Sequence, residues 1–404
     1  MGQLIEVTAT RVGDVAVFAL DRSLTGQDSA TFAARPEGSR PPELLAQRLF
    51  DSDAATRTVH ILSNTVTVGR ETGWDDATLG SASDIISKLF VHYEPVSTEA
   101  HDEALREENY NATITWIRAH NPDLWVIRIK PDQPFEPFEP GQYTHLGLGY
   151  WEPRADDASE DFDPHSARWD RMARRAYSVS SSMVDDDGDL LAPASDEVEF
   201  YIVRVPPHLE DIPALTPRLF RKSVDDRLYM SSNFTGHYTL EGVGADDNVV
   251  FLATGTGEAP HNLMAAALAR SGHRGRILSV CCVRFRADLA YLEQHAALES
   301  ALPTYRYVAL TTREPENVDN KVYIQDYINS GRAQDDLGVP LDPEHTHVFL
   351  CGNPLMIGLP TWEEDEPTFP EPLGVCEILH GRGFTIDHRG VRGNVHYEEY
   401  WKER

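Results

Sequence analysis

The stretch with the clearest capacity for chemistry is Asp247–Asn262, which reads DNVVFLATGTGEAPHN. Its apolar run, Asn248–Leu252, predicts a buried strand, and the turn Thr254-Gly255-Thr256-Gly257 follows almost directly. Pro260 then opens a segment with the apolar periodicity of a helix. Because glycines between a strand and a helix let backbone N–H groups approach an anion, this stretch predicts a phosphate-binding turn.

Cationic side chains follow the next two predicted strands. Arg284 ends the run RILSVCCVR, Arg313 ends the run TYRYVALTTR, and Lys321 lies eight residues further on. The alternation of strands and helices from Asn248 onward predicts a parallel sheet, whose ligands bind at the carboxyl ends of the strands. Three cations there, in a chain of net charge −29, suit a phosphate monoester such as the 2′-phosphate of NADP. The alternative for each cation taken singly is a solvated surface side chain.

A tight turn, Cys351-Gly352-Asn353-Pro354-Leu355-Met356, follows the strand-like run HVFL. Glycine and proline in such a turn leave room for a flat nicotinamide ring, against which the small thiol of Cys351 can pack. The alternative is a turn that only ends the strand.

Two motifs in the middle of the chain could bind a second cofactor. Arg175-Ala176-Tyr177-Ser178 combines an arginine that can bind pyrophosphate, a ring that can lie on a flat cofactor, and a hydroxyl that can hydrogen-bond a ring nitrogen. The run Leu215–Phe220 predicts a short helix with Thr216 as N-cap and Pro217 at its first position, which offers free N–H groups to a phosphate. An ordinary strand with a surface arginine and a plain capped helix are the alternatives.

Length and composition limit the class of protein. The 404 residues predict two or three domains, and the net charge of −29 predicts a surface that repels nucleic acid and anionic membranes. The amino terminus lacks a basic segment followed by an apolar core, and no run is apolar enough to span a membrane, so we expect a cytoplasmic protein. The cysteines have no C-x-x-C spacing and predict buried reduced thiols rather than a metal site; they are Cys281, Cys282, Cys351 and Cys376.

The pattern along the chain predicts four parts: a small α+β domain (residues 1–96), a polar linker (97–111), antiparallel β structure (112–245) and an α/β domain (246–404). The elements predicted in the first part are strands at Val15–Leu20 and Thr58–Val68, the latter a pair, and helices at Pro42–Phe50 and Gly80–Tyr93. The strands predicted in the third part are TITWIRAH, WVIRIK, RRAYSVSSS, VEFYIVRV, RLYMSS and GHYTL. Residues Glu152–Asp170 predict an exposed acidic loop.

Residues 112–401 resemble the FAD-dependent ferredoxin/flavodoxin–NADP reductases, particularly the bacterial type. RAYS, FYIV followed by LTPRL, ATGTG-x-x-P, R-x-x-x-DLAY, TTRE, CGNPLM and the terminal YW occur in the order of that family. The resemblance implies an antiparallel FAD-binding β-barrel and a doubly wound α/β NADP-binding domain. It also implies electron transfer between NADPH and ferredoxin or flavodoxin, by hydride transfer to flavin N5. An NADPH-dependent flavin or quinone reductase is the alternative.

The resemblance implies roles for individual residues and no metal ligand. Ser178, Tyr177 and Cys351 would lie at the reacting rings, with Ser178 beside flavin N5 and Tyr177 stacked on the isoalloxazine. The residues implied for FAD are Arg175, Ala176, Tyr177, Ser178, Tyr201, Ile202, Val203, Arg204, Leu215, Thr216, Thr256 and Trp401. The residues implied for NADP are Thr254, Gly255, Gly257, Arg284, Arg313, Lys321, Gly352, Asn353, Pro354 and Met356.

Three positions depart from the family pattern. Lys321 stands where arginine is frequent, Glu258 follows the glycine turn where an apolar residue is common, and three residues follow Trp401. Lys321 keeps the charge without the planar fork of arginine, and at Glu258 we expect the dinucleotide to be held less tightly. Trp151–Asp170 and Thr361–Pro372 are expected to be insertions relative to shorter members.

Residues 45–95, which begin LAQRLF and end VHYEP, resemble the amino-terminal domain of NifU-type iron–sulfur scaffold proteins. That family carries its cluster cysteines in a separate domain, and residues 1–96 contain no cysteine, so we do not expect cluster assembly by this unit. The resulting interpretation is an accessory domain that docks the reductase onto an iron–sulfur assembly protein.

A carrier of the ferredoxin or flavodoxin type is itself acidic. Such a carrier could bind a chain of charge −29 only at a local basic rim near the flavin. The candidates for this rim are Arg171, Arg174, Arg218, Arg221 and Lys222.

Overall fold

The computed structural model describes residues 4–26, 28–38, 40–89, 98–155, 169–185, 187–194, 196–205, 213–363 and 366–400. The chain separates into two compact units, Met1–Ala100 and His101–Arg404. The first unit contains one antiparallel sheet, whereas the second contains a closed antiparallel barrel and a parallel sheet. The predicted fold class, a barrel and a doubly wound α/β domain preceded by a small α+β domain, is confirmed.

The first unit is a five-stranded sheet packed against two helices. Its elements are β1 (Val7–Val12), β2 (Val15–Leu20), β3 (Ser29–Phe32), α1 (Pro41–Ser52), β4 (Thr56–Leu62), β5 (Thr65–Arg70) and α2 (Asp76–Ser87). The strand order is β1-β2-β5-β4-β3, and alternate residues such as Phe18, Ile61 and Val66 are fully buried against the helices. The strand patterns of β2, β4 and β5 were visible in the sequence, whereas the alternation in β1 and β3 is short and only partly buried, at Val7, Ala9 and Phe32.

Helix α2 begins at Asp76, about one turn before the predicted start at Gly80. The side chain of Asp75 caps the helix by accepting a hydrogen bond from the backbone N–H of Thr78 at 2.7 Å. A cap of this kind needs no apolar residue, so apolar periodicity alone placed the start too late. The predicted continuation to Tyr93 lies outside the described residues beyond Leu89.

The segment predicted to be a polar linker is largely helical, and α3 spans Thr98–Asn109. Leu105 and Tyr110 pack into the core of the barrel. The Tyr110 hydroxyl and Arg106 Nε each donate to Glu152 at 2.9 Å. From His101 onward this segment therefore belongs to the second unit, because two apolar anchors and a buried carboxylate hold a helix of otherwise solvated composition.

Glu152 corrects a second prediction, that of an exposed acidic loop from this residue onward. Trp151 and Glu152 are only 3% and 4% exposed. Glu152 also accepts a hydrogen bond from Lys222 Nζ at 2.8 Å, which completes the set of donors that a buried carboxylate requires. The rest of the predicted loop between residues 156 and 168 lies outside the described residues.

The barrel has six antiparallel strands that close in the order β10-β7-β6-β11-β8-β9. They are β6 (Ala112–Asn121), β7 (Leu124–Pro131), β8 (Tyr143–Gly149), β9 (Met172–Ser180), β10 (Val198–Val203) and β11 (Arg227–Met230). The run GHYTL, predicted as a further strand, is not one. Thr235, the residue directly before this run, forms a single bridge to Tyr143. Tyr238 is buried instead, with its hydroxyl 2.6 Å from His261 Nε2, so its apolar character reflects packing against the α/β half.

The α/β half is built on a parallel sheet in the order β14-β13-β12-β15-β18. The strands of this sheet are β12 (Asn248–Thr254), β13 (Ile277–Val283), β14 (Tyr305–Thr311), β15 (Thr346–Gly352) and β18 (Val395–Glu399). A separate small antiparallel hairpin consists of β16 (Thr361–Glu363) and β17 (Glu366–Thr368). The helices of the second unit after α3 are α4 (Thr216–Leu219), α5 (Glu258–Arg270), α6 (Leu292–Ala301), α7 (Ile324–Asn329), α8 (Arg332–Leu337), α9 (Pro354–Ile357) and α10 (Val375–His380).

The winding of this sheet reverses between β12 and β15. The chain proceeds from β12 outward to β13 and β14, then returns to the other side of β12 to form β15. A crevice at the carboxyl ends of the strands forms at such a switch point, and ligands of doubly wound folds bind there. The topology therefore places the ligand site where Thr254 and Gly352 end their strands.

The four cysteines are free and buried, as predicted. Cys281 and Cys282 lie in different apolar clusters on the two faces of the parallel sheet. No helix in the described part of the chain has the length and hydropathy that crossing a bilayer requires.

Candidate functional site

A cleft of about 970 Å³ lies between the barrel and the carboxyl ends of the parallel strands. The barrel contributes strand β10 and the turn between β6 and β7, and the sheet contributes the ends of β12, β13, β14 and β15. The predicted site residues that line it are Tyr201, Val203, Arg204, Thr254, Gly255, Thr256, Arg284, Arg313, Lys321, Gly352, Asn353 and Met356. Folding therefore brings residues from six separate segments of the chain to one surface.

The glycine-rich turn has the strand–turn–helix geometry that its sequence predicts. A single 3₁₀ turn, Gly255–Gly257, joins β12 to α5. A Cβ atom on Gly257 would collide with the carbonyl of Cys351, so only glycine lets the two strand ends approach this closely. Helix α5 begins at Glu258 rather than at Pro260, so the proline lies within its first turn. A proline is tolerated there, because the N–H that it lacks would have no partner within the helix.

The turn after β15 is held to the turn after β12. The backbone N–H of Asn353 donates to Thr254 Oγ1 at 2.7 Å, and Asn353 Oδ1 caps α9 by accepting from the Leu355 N–H at 2.8 Å. Pro354 is the first residue of that short helix. These bonds keep the two glycine turns side by side at the switch point.

Three cations line one end of the cleft. The Arg313 N–H donates to the Arg284 carbonyl at 2.8 Å, which ties the ends of β14 and β13 together. Arg284 Nε also lies 3.5 Å from Asp288 Oδ2. Tyr323, which is 48% exposed, lines the cleft beside Lys321 and offers a flat apolar face next to these charges. Cations beside an exposed aromatic ring fit a phosphorylated nucleoside.

Beside the cleft, at Tyr400, lies a corner built from β9, β15 and β18. The predicted residues of this corner, Tyr177, Ser178 and Cys351, do not themselves line the cleft, and Ser178 and Cys351 are buried. Ser178 Oγ donates to Glu398 Oε2 at 2.8 Å. Burial raises the pKa of Glu398 to about 7, so that both protonation states are populated at neutral pH. Burial also raises the pKa of the Cys351 thiol well above its ordinary value, so the thiol is neutral. The Tyr400 hydroxyl donates to the Thr256 carbonyl at 3.2 Å and closes this corner.

This corner fits a flat ring with polar edges. The half-buried rings of Tyr177 and Tyr400 offer flat faces, and the Ser178–Glu398 pair offers a hydrogen-bonding edge between two strands. The described residues hold no cluster of three or more histidine, cysteine, aspartate or glutamate side chains that could bind a metal ion.

Two residues at this end, Glu398 and Tyr400, were not assigned roles from the sequence. They are two residues apart along β18 and its continuation, so their side chains lie on the same face of the strand. That alternation was a usable signal, but the partner of Glu398 lies 220 residues earlier in the chain. Tyr323 at the opposite end was also missed, although it lies two residues after Lys321.

Strand β10 faces the cleft with alternate residues. Tyr201 donates from its hydroxyl to the Asp288 carbonyl at 3.1 Å, and Arg204 Nε lies 2.7 Å from Asp123 Oδ1. Ile202 points the other way into the barrel core and is 1% exposed, so only its backbone is available to a ligand. A continuous motif along a strand cannot present every side chain to one ligand.

The remaining candidates for FAD lie apart from the cleft. Arg175 and Ala176 are exposed on β9, where Arg175 donates to the Arg174 carbonyl at 2.8 Å. Leu215, not Thr216, is the residue that precedes α4, and Thr216 Oγ1 accepts a hydrogen bond from the Val205 N–H at 3.2 Å. Trp401 lies outside the described residues.

The predicted basic rim is smaller than its sequence suggests. Arg218 is 1% exposed and donates to the Ala214 and Tyr150 carbonyls at 2.6 and 3.1 Å. Lys222 is held by the buried Glu152. Both cations therefore stabilise the barrel half rather than its surface. The sequence could not show this, because it does not reveal which buried oxygen atoms accept hydrogen bonds from a given arginine or lysine.

Comparison with known families identifies the parallel sheet. The family model described as the oxidoreductase NAD-binding domain matches residues 251–359, which include the glycine turn, the three cations and the turn after β15. A closed antiparallel barrel joined to such a domain, with a cleft between them, defines a flavin- and pyridine-nucleotide-dependent class of oxidoreductase.

Individual relatives narrow this class. The chain is 30% identical over 226 residues to the flavodoxin/ferredoxin–NADP reductase of Escherichia coli, covering 55% of this chain and 77% of that protein. It is 30% identical over 234 residues to ferredoxin–NADP reductase A of Sorangium cellulosum, covering 56% and 73%. The chain belongs to the flavodoxin/ferredoxin–NADP reductase family.

A solved structure supports the fold of the second unit. The ferredoxin NADP⁺ reductase from Neisseria gonorrhoeae, determined with bound FAD and NADP, superimposes with a TM-score of 0.54 at 21% identity. The match covers 72% of this chain and 99% of that chain. The barrel and the parallel sheet thus share the architecture of that protein.

Proposed function

We propose that this chain is an FAD-dependent oxidoreductase that transfers electrons between NADPH and ferredoxin or flavodoxin. The observation that carries the proposal is one cleft whose walls combine the glycine turn, three cations and barrel strand β10. These are the parts needed to bring a phosphorylated dinucleotide against a cofactor held by the barrel. Bound FAD supplies the exchange between the two electrons of a nicotinamide and the single electrons of a carrier.

The chain's own residues bind and orient both groups. The glycine turn and the amino terminus of α5 bind the pyrophosphate of NADP through backbone N–H groups. Arg284, Arg313 and Lys321 bind the 2′-phosphate. Ser178 and Glu398 hold the polar edge of the flavin ring, and Glu398 can keep a proton there because its pKa is about 7. The neutral thiol of Cys351 packs against the rings and excludes water.

The positions further from the cleft complete the FAD site in this proposal. Arg175, exposed on β9, is free to turn toward a pyrophosphate, and Tyr177 lays its half-buried ring on the isoalloxazine. The amino terminus of α4, at Leu215 and Thr216, offers backbone N–H groups to the same pyrophosphate. Trp401 is proposed to stack on the adenine.

An absorption spectrum followed by anaerobic titration tests this function. The purified protein should show flavin bands, and NADPH should bleach them at a concentration about ten-fold or more below that of NADH, because NADH lacks the 2′-phosphate. Ferredoxin or flavodoxin should then accept the electrons at micromolar concentration. A colourless protein that FAD does not reconstitute would refute the proposal. Reduction of a free quinone but of neither carrier would favour an NADPH-dependent quinone reductase.

For the first unit we propose an accessory role in docking an iron–sulfur assembly protein. Residues 1–96 are proposed to form this domain on the basis of their resemblance to the amino-terminal domain of NifU-type scaffolds, and they contain no cysteine for a cluster of their own. Titration calorimetry of the full chain against a purified NifU-type scaffold protein tests the role. Micromolar binding would support it, and no heat of binding would contradict it.

The four free buried thiols support a reducing, cytoplasmic location.

A further inference from the structure

Glu258 is a buried acidic residue at the phosphate-binding turn for which the proposed function has no use. It is the first residue of α5 and follows Gly257 directly. Its side chain is only 1% exposed, although an ionised carboxylate is costly to bury without partners. The departure from an apolar residue therefore places a carboxylate under the turn rather than at its surface.

A cluster of ring side chains surrounds this carboxylate. The Tyr307 hydroxyl donates to Glu258 Oε1 at 2.6 Å, and His295 Nε2 lies 3.1 Å from the same oxygen. The His295 ring stacks on Tyr307 with 3.8 Å between ring centroids, and its Nδ1 lies 2.8 Å from the Tyr305 hydroxyl. With Tyr305 as donor to Nδ1, the hydrogen on Nε2 points at Glu258.

No lysine or arginine balances the carboxylate within the described part of the chain. His295 is the one ion-pair partner within 4.0 Å among these residues. The second oxygen, Oε2, has no hydrogen-bond partner in the same part. The carboxylate is thus held in place by donors, and no lysine or arginine in the described part of the chain pairs with it.

The field of this charge reaches the cleft. Tyr201 lines the cleft, and its pKa is raised first by burial and then by the charge of Glu258. Cys281 responds in the same way, and its thiol contacts the Gly255 carbonyl of the turn at 3.7 Å. Charges separated by protein interior rather than water interact strongly and are poorly screened by salt.

We propose that Glu258 determines nucleotide affinity: its buried carboxylate repels the phosphates of NADP⁺ at the adjacent turn and speeds the release of this nucleotide. The inference rests on the proposed function, since it concerns the same nucleotide site. The helix amino terminus that attracts a pyrophosphate is here already partly compensated by an internal anion. Weaker product binding raises turnover wherever nucleotide release limits the rate.

Substitution Glu258→Gln tests the sign of the effect. Removal of the charge should lower the Kd for NADP⁺ by about five-fold or more, with the flavin content unchanged. The ratio between the two proteins should persist at high salt, because the charge is buried. Glu293→Gln makes the same charge change on the exposed surface of α6 and should alter the Kd by less than about two-fold. Flavin absorbance changes on titration with NADP⁺ provide the measurement.

Tyr307→Phe separates charge from packing. This variant loses a hydrogen bond of the same cluster but keeps the carboxylate, so it should not tighten NADP⁺ binding. Weaker or unchanged binding in Glu258→Gln would overturn the inference, as would equal tightening in both variants. If Glu258→Gln does not fold, Glu258→Met serves in its place, and failure of both to fold would overturn the role by showing that the fold requires the carboxylate. Absence of NADP⁺ binding by the unaltered protein would overturn the proposed function as well.

Discussion

At the scale of single residues, the Ser178–Glu398 hydrogen bond couples the barrel to the last strand of the parallel sheet. The pair lies where a flavin edge is proposed, and its carboxyl group titrates near neutral pH. A group with such a pKa can hold or give a proton under working conditions, whereas an exposed glutamate is fully ionised. We therefore expect the rate of the reaction to depend on pH through this pair.

The variant Glu398→Gln should remove this dependence. In the unaltered protein, NADPH oxidation with a dye acceptor should slow as the pH rises through about 7, because the protonated carboxyl is lost. In the variant the rate should be lower by roughly ten-fold and nearly constant between about pH 6 and 8. Glu399→Gln, on the opposite face of β18, should keep the midpoint. A midpoint that survives in Glu398→Gln would contradict the assignment.

Arg313 belongs to the same scale at the other end of the cleft. Arg313→Ala should raise the KM for NADPH by about ten-fold or more and leave the KM for NADH unchanged, because one charge-assisted contact to the 2′-phosphate is lost. Arg306→Ala is a matched control on the same strand, since Arg306 is exposed and pairs with Glu299 instead. Equal loss with both nucleotides would show that Arg313 does not read the phosphate.

At the scale of elements, the site depends on how closely β12 and β15 approach each other at their carboxyl ends. Gly352 has φ +124°, and a Cβ atom there would collide with Thr254. The same two residues line the cleft. Packing of these strand ends and binding of the dinucleotide are therefore expected to fail together.

Gly352→Ala tests this approach directly. It should lower Tm by about 5 °C more than Gly272→Ala and weaken NADP⁺ binding by about ten-fold. Gly272 has φ +71°, and a Cβ atom there would contact no other atom. Its substitution therefore measures the cost of a positive φ without a collision. Thermal unfolding and flavin titration measure the two effects. Equal Tm values for the two variants would contradict close approach as the reason for glycine.

The β15–β18 pair also contains two neighbouring histidines, of which His396 is fully buried and His347 half-buried. His347 Nδ1 lies 3.1 Å from His396 Nε2, and His396 Nδ1 lies 2.8 Å from Asp387 Oδ2. Burial, followed by the charge of His396, lowers the pKa of His347 below its ordinary value of 6.5. Burial also lowers the pKa of His261 to about 3. At His347 and His261 the unfolded chain therefore binds more protons than the folded one below about pH 6.5.

The contribution of these histidines to the free energy of unfolding should consequently fall as the pH drops below about 6.5, whereas the raised pKa of Glu398 acts in the opposite direction. His347→Gln should show a smaller decrease of Tm between about pH 7 and 5 than the unaltered protein, because one of the depressed groups is gone. His120→Gln, at an exposed position on β6, should leave the slope unchanged. Circular dichroism melts across this range make the measurement, and identical slopes for all three proteins would contradict the role of the pair.

At the scale of the whole molecule, the net charge of −29 makes the location of basic side chains decisive for an acidic carrier. Arg218 and Lys222 are hydrogen-bonded to oxygen atoms inside the barrel half, whereas Arg171 and Arg174 are exposed. Arg174 lies over the Tyr229 ring at 4.0 Å, on the outer surface of the barrel. Together with Arg221, which is also exposed, these two arginines are the remaining basis for a docking rim.

Joint reversal, Arg171→Glu with Arg174→Glu, should raise the KM for the carrier by about ten-fold at low salt and leave dye reduction within about two-fold. Arg274→Glu is the control, because Arg274 is an exposed arginine paired with Asp246 beyond the barrel. Steady-state kinetics with each acceptor make the comparison. A parallel loss of both activities would show that the two arginines support the barrel rather than the carrier.

Much of the fold could be predicted because its signals are local. The Asn248–Leu252 run, the glycine turn and the following helix lie within one short stretch, and period-two alternation marked β6 and β7. Helix α3 could not be predicted in this way, because two anchors, Leu105 and Tyr110, hold it against a distant barrel. Composition registers the many solvated residues of such a helix and not its few contacts.

The order of motifs, the parallel sheet and the cations at its strand ends follow from the sequence alone, since each depends on neighbouring residues and the rules of sheet topology. That Ser178 meets Glu398, that Arg218 is buried and that Glu258 turns into a cluster with Tyr307 emerges only in the folded chain. Those outcomes depend on which polar atoms long-range packing removes from water, and most buried polar atoms find a partner only there.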